Sequence, residues 1–97
     1  MEFSVFLQIP GLPFDDEGRW GPFIDRLESD YPELGPVIGW SEQGAEVVVS
    51  MRSASEADAT RRAVDVVTDC LRGTGLGKLY PGSVEVERVS DEELASA

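Results

Sequence analysis

Residues 36 to 58 read Pro36-Val37-Ile38-Gly39-Trp40-Ser41-Glu42-Gln43-Gly44-Ala45-Glu46-Val47-Val48-Val49-Ser50-Met51-Arg52-Ser53-Ala54-Ser55-Glu56-Ala57-Asp58. Val37, Ile38 and Trp40 form a short apolar run of strand type. Beyond it Ala45, Val47, Val49 and Met51 alternate with Glu46, Val48, Ser50 and Arg52, the period of a strand with one buried face. Gln43-Gly44 reads as a tight turn, so the two strands form a hairpin. Ser55, with Asp58 three residues on, is a carboxylate variant of the capping box that opens a helix. From there apolar residues recur at three- and four-residue spacings: Ala59, Ala63, Val66 or Val67, Cys70 and Leu71. Gly73 ends this helix.

Outward from this core, Glu2 to Ile9 read as a strand, with Phe3, Val5, Leu7 and Ile9 on one side and Ser4, Phe6 and Gln8 on the other. Pro10-Gly11-Leu12-Pro13 stops it, because proline donates no ladder hydrogen bond. A helix follows, with Phe23, Ile24, Leu27 and Tyr31 on its apolar side. Pro22 is tolerated in a first turn, which predicts a start near Trp20 or Gly21, and Pro32 ends it. After a loop from Thr74 to Ser83 the last strand runs from Val84 to Val89, with Val84 and Val86 inward and Glu85 and Glu87 outward. The order is strand, helix, strand, strand, helix, strand. In about ninety residues with right-handed crossovers this predicts an α+β, ferredoxin-like sandwich, an antiparallel four-stranded sheet with both helices on one face. Its first and third strands lie at the centre. The expected domain covers residues 1–90, and 91–97 form a flexible C-terminal tail.

Composition narrows the function. The chain has 97 residues, 41% of them apolar, and 8 basic against 19 acidic side chains leave a net charge of −11. One small core is the expectation. Binding to nucleic acid or to an anionic membrane rests on Lys and Arg neutralising phosphates, so both partners are excluded. There is no basic leader and no apolar run long enough to span a membrane, which makes a cytoplasmic protein the default. Histidine and asparagine are absent, and Cys70 is the one cysteine. That removes the commonest general base and excludes both a disulfide framework and a thiolate zinc site. Cys70 falls on the buried stripe of a helix, so it reads as a core residue. No catalytic, cofactor or metal-binding residue is expected.

The face of the sheet away from the helices is the candidate interaction surface. In the expected register it carries Phe6 and Gln8 on the first strand, Val48 and Ser50 on the third, and Trp40 or Gly39 on the second. Phe6, Val48 and Trp40 would make an apolar patch rimmed by carboxylates, fit for a second copy or a protein partner. Trp20 and Tyr80, near Trp40, are the candidate pocket for a small molecule. Gly73-Thr74-Gly75-Leu76-Gly77-Lys78 looks like a phosphate loop, but it follows a helix and leads to a strand, so it reads as a glycine cap and a connection. Asp15-Asp16-Glu17 lack the spacing of a calcium loop and supply first-turn charge to the helix after them.

In topology and length the chain resembles the dimeric α/β-barrel family, whose members pack two such sheets face to face and include cofactor-free monooxygenases. No catalytic histidine or asparagine of that family can be carried over. The stretch from Val47 to Ala59 is similar to a group of small actinobacterial-type proteins with a valine-rich strand and an Ala-Ser-Glu-Ala helix opening. In some of those a helix-turn-helix domain follows, and Val89-Ser90-Asp91-Glu92-Glu93-Leu94-Ala95 resembles its beginning. That resemblance implies a bacterial protein and no particular activity. The expected function is therefore a non-enzymatic, acidic protein-interaction or self-associating module of regulatory type. The alternative is a small dimeric α/β-barrel-type enzyme or ligand-binding protein.

Overall fold

The structure, a computed structural model, describes residues 1–12, 17–42 and 44–89. Strand β1 (Glu2–Pro10) alternates from Glu2 to Ile9 between half-buried and buried residues, with Phe3, Val5, Leu7 and Ile9 all at most 1% exposed. Helix α1 (Glu17–Asp30) follows, then a 3-10 turn, Pro32–Leu34, that tucks Leu34 into the core. The hairpin strands are β2 (Val37–Ser41) and β3 (Gly44–Arg52), and after them come helix α2 (Glu56–Gly73) and strand β4 (Ser83–Val89). The fold is α+β: one antiparallel sheet in the order β2-β3-β1-β4, and two helices. The β1–β3 ladder runs from Glu2↔Arg52 to Pro10↔Gly44, and β4 pairs along the other side of β1 from Glu2↔Val89 to Gln8↔Ser83.

This pairing puts the odd-numbered residues of β1 and β3 on one face. There they join Phe23 and Leu27 of α1 and Ala59, Ala63, Val67, Cys70 and Leu71 of α2 in a single hydrophobic cluster. Among the described residues the core holds no buried polar or charged side chain. The helix stripes and the strand faces are therefore two halves of one apolar layer, and the even-numbered face of the sheet is left outside it.

Three local details differ from the sequence reading. Helix α1 begins at Glu17, before Trp20, so Pro22 lies inside it. The ring sits just past the first turn, so only one intrahelical bond, to the Gly18 carbonyl, is lost. Tyr31 lies one residue beyond the helix, half-buried against the core, its N–H donating to the Leu27 carbonyl at 3.1 Å. The left-handed cap of α2 is Gly75 (φ +80°), with the Leu76 N–H donating to the Leu71 carbonyl at 2.8 Å and Leu76 buried beneath it. That is a Schellman closure, which confirms the segment as a helix end. Gly73 is the last residue of the helix, as expected, and a Cβ there would run into the Arg26 guanidinium of α1. The start of α2 is as expected, with the Asp58 N–H donating to Ser55 Oγ at 3.2 Å.

Gly44 closes the hairpin. Its φ of +141° and the collision that a Cβ would make with the Ile9 carbonyl oxygen both demand glycine. Asp15, Asp16, Gln43 and the segment 90–97 lie outside the described residues, and the expectations placed on them with it.

Candidate functional site

Register across the sheet arranges the even-numbered face in rows. Val37 pairs with Val48, Val48 with Phe6, and Phe6 with Glu85, so an apolar row crosses three strands and ends on a carboxylate. Val37 is 63% exposed at one end, while Val48 and Phe6 are half-buried. The next row is Gly39, Glu46, Gln8 and Ser83, where the Gln8 side-chain amide donates to Glu46 Oε2. On the other side Ser50, Ser4 and Glu87 form a row, with the two serine hydroxyls 3.5 Å apart. Beyond it Arg52 Nε meets Glu2 Oε1 at 3.1 Å.

Charge on this face is one-sided. Arg52 is paired with Glu2, and among the described residues Glu46, Glu85 and Glu87 have no basic side chain in ion-pair contact. A hollow of about 180 Å³ opens between Phe6, Gln8, Glu46, Ser83 and Glu85. A second, of about 320 Å³, continues past Gln8 and Ser83 to Pro10 and Gly82. Such an arrangement can hold an apolar side chain on the Phe6–Val48–Val37 row and a cationic or hydrogen-bond-donating group beside it.

Of the five residues expected on this surface, Phe6, Gln8, Val48 and Ser50 share the face. Trp40 does not. It pairs with Ala45, which is buried on the helix side, so the position belongs to Gly39 and the apolar row is completed by Val37. Because β2 is apolar at three of its five positions, with glycine at a fourth, its own pattern reveals no parity; the hairpin does. With two residues between the paired Ser41 and Gly44, Trp40 must face an odd-numbered residue of β3. That count was the signal for Val37, which the sequence reading missed.

Trp40 instead packs on Trp20 of α1, ring centroids 5.0 Å apart and inclined at 57°. Tyr80, the other residue of the expected pocket, is 68% exposed in the loop before β4, and neither hollow described above is lined by Trp20 or Tyr80.

The remaining reactive groups lie where α1 crosses α2. Arg26 reaches Asp30 at 3.5 Å and Asp69 at 3.7 Å, although its Nε, buried beneath the rest of the side chain, makes no well-aligned hydrogen bond. Cys70 is fully buried beside it, and that burial pushes the thiol up from its ordinary value against the opposing pull of Arg26. Desolvation and the neighbouring Asp69 push the Tyr31 hydroxyl up as well. Both shifts favour the protonated, unreactive forms. Among the described residues no group of three or more His, Cys, Asp or Glu is gathered to hold a metal ion, and no helix is long and apolar enough to cross a membrane. No protein-family model, curated protein or solved structure matches the chain.

Proposed function

We propose that the chain is a non-enzymatic protein-interaction module of ferredoxin-like topology, working in a cytoplasmic setting, that docks a basic protein partner on its open sheet face. The strand order and the gathering of both helix stripes into one core support the topology. The observation that carries the function is the Val37–Val48–Phe6 row bordered by Glu46, Glu85 and Glu87. Apolar surface in the middle and unpaired charge of one sign at the rim are the makings of a specific, electrostatically steered interface. The complement is a partner with apolar side chains flanked by Lys or Arg. Face-to-face packing of two copies, the arrangement of the dimeric α/β barrels, would bring these carboxylates against their equivalents, which disfavours it for this chain.

Capture from the native host with wild-type protein, Val48→Glu and the helix-face control Arg61→Glu tests the reading. A partner retained by wild type and by Arg61→Glu, lost with Val48→Glu and released by salt, is the expected result. A partner retained equally by all three overturns it. The hollows beside Gln8 carry the second reading, a small-molecule-binding or enzymatic role. It requires a ligand that perturbs Gln8, Glu46 and Ser83 in an NMR titration.

A further inference from the structure

The two edges of the sheet are built differently. The β4 edge carries Glu85, Glu87 and Arg88, the charges by which proteins usually keep a strand edge from pairing with another chain. The β2 edge carries none: Val37-Ile38-Gly39-Trp40-Ser41 is the heart of an uncharged run from Leu34 to Ser41, in a chain whose net charge is −11. At its middle, a Cβ built on Gly39 would meet no atom within 4 Å, and Val37 is 63% exposed.

We propose that β2 is a self-pairing edge: two copies of this chain join β2 to β2, antiparallel about a two-fold axis at Gly39, and extend the sheet to eight strands. The occupant is a second copy because an acidic protein meets its own copy with least repulsion where no charge lies on the seam. Charges farther away are screened beyond about 8 Å at physiological ionic strength. The charged β4 edge would set Glu85 and Glu87 against a second set of carboxylates. A strand pairing with itself is also self-complementary, as a two-fold interface requires. Centred on Gly39, all five residues of β2 pair, Val37 against residue 41 of the second copy and Ile38 against Trp40 of the second copy. On the helix side, Ile38 and the Trp20–Trp40 stack then continue from one copy to the other. Val37 and Gly39 also belong to the open face, but self-pairing rests on the backbone edge of β2 and does not depend on the docking reading.

The test is oligomeric state by sedimentation and light scattering, from low to high micromolar concentration, with Gly39→Glu, Gly39→Lys and their equimolar mixture. Wild type should rise from 10.6 kDa toward twice that mass, more readily as salt increases, with a concentration-dependent change in tryptophan emission. Each variant alone should stay at 10.6 kDa with native-like circular dichroism, because the introduced side chain has open space and faces its own like charge across the seam; Gly39→Glu also sits opposite Glu46 of β3 and should melt below Gly39→Lys. The mixture should recover the dimer, Glu facing Lys. A wild type that stays monomeric throughout overturns the proposal, as does a dimer indifferent to Gly39→Glu or one abolished by Phe6→Glu.

Discussion

Val47 and Val48 are neighbours in sequence on opposite faces of β3, and replacing each by alanine measures what covers those faces. Val47 is fully buried against the helices. Two lost methyl groups at about 0.8 kcal/mol each, plus roughly 1 kcal/mol for a cavity of about 40 Å³, give a loss of about 2.5 kcal/mol. Val48 is half-buried among its sheet neighbours. With no cavity closed over it, the same two methyl groups account for about 0.8 kcal/mol. Any loss of strand propensity is common to both variants, so the difference of about 1.5–2 kcal/mol is the informative quantity. At roughly 4–8 °C per kcal/mol for a domain of this size, Val47→Ala should melt some 10–20 °C below wild type and Val48→Ala roughly 3–6 °C below. Thermal melts followed by circular dichroism, with urea titrations alongside, read both. If Val48→Ala costs as much as Val47→Ala, the even-numbered face is covered and the docking reading falls with it.

Other positions give sharper local tests. Gly44→Ala forces a side chain onto a φ of +141° and into the Ile9 carbonyl, and should cost about 2–4 kcal/mol in a urea titration. Gly39→Ala, with open space at its Cβ, should change stability by less than about 1 kcal/mol, and equal losses at the two glycines would refute the hairpin geometry. Ser55→Ala removes the acceptor of the Asp58 N–H and should cost about 1 kcal/mol, whereas Ser53→Ala should cost nothing comparable. The Cys70 thiol ionises less readily in the folded chain than in the unfolded one, where its pKa is near 9.0. Stability from this group is therefore complete below about pH 9 and declines as pH rises past it; Tyr31 adds to the decline above about pH 10. A pH series of urea melts should show that loss, and Cys70→Ala should lessen its first part. A flat profile between pH 8 and pH 11 would contradict the burial argument.

Where burial is one-sided, the sequence is a direct record of the structure. Phe3, Val5, Leu7 and Ile9 alternate with Ser4, Phe6 and Gln8 because one face of β1 must meet the helices. Ser55 and Asp58 mark the start of α2 because the first amides of a helix need acceptors. Where local signals compete, the record is weaker. Pro22 is the strongest marker near α1, yet the helix begins five residues earlier, since a single missing donor is outweighed by the packing of Phe23 and Leu27. Gly73, Gly75 and Gly77 are alike in sequence, and only the backbone path shows that Gly75 takes the left-handed position while Gly73 makes room for Arg26. For the candidate site, the four residues on the central strands were legible from alternation. The fifth was not, because the face of Trp40 is set by how many residues the hairpin leaves unpaired rather than by anything in β2 itself.

Photo-crosslinking in the native host tests the central claim most directly. A photoreactive residue is placed in turn at Phe6 and Val48 on the open face, and at Arg61 and Asp65 on α2. The account predicts covalent adducts to a basic partner protein from Phe6 and Val48, lost at high salt and absent from the helix positions. Adducts formed only from Arg61 and Asp65 would contradict it.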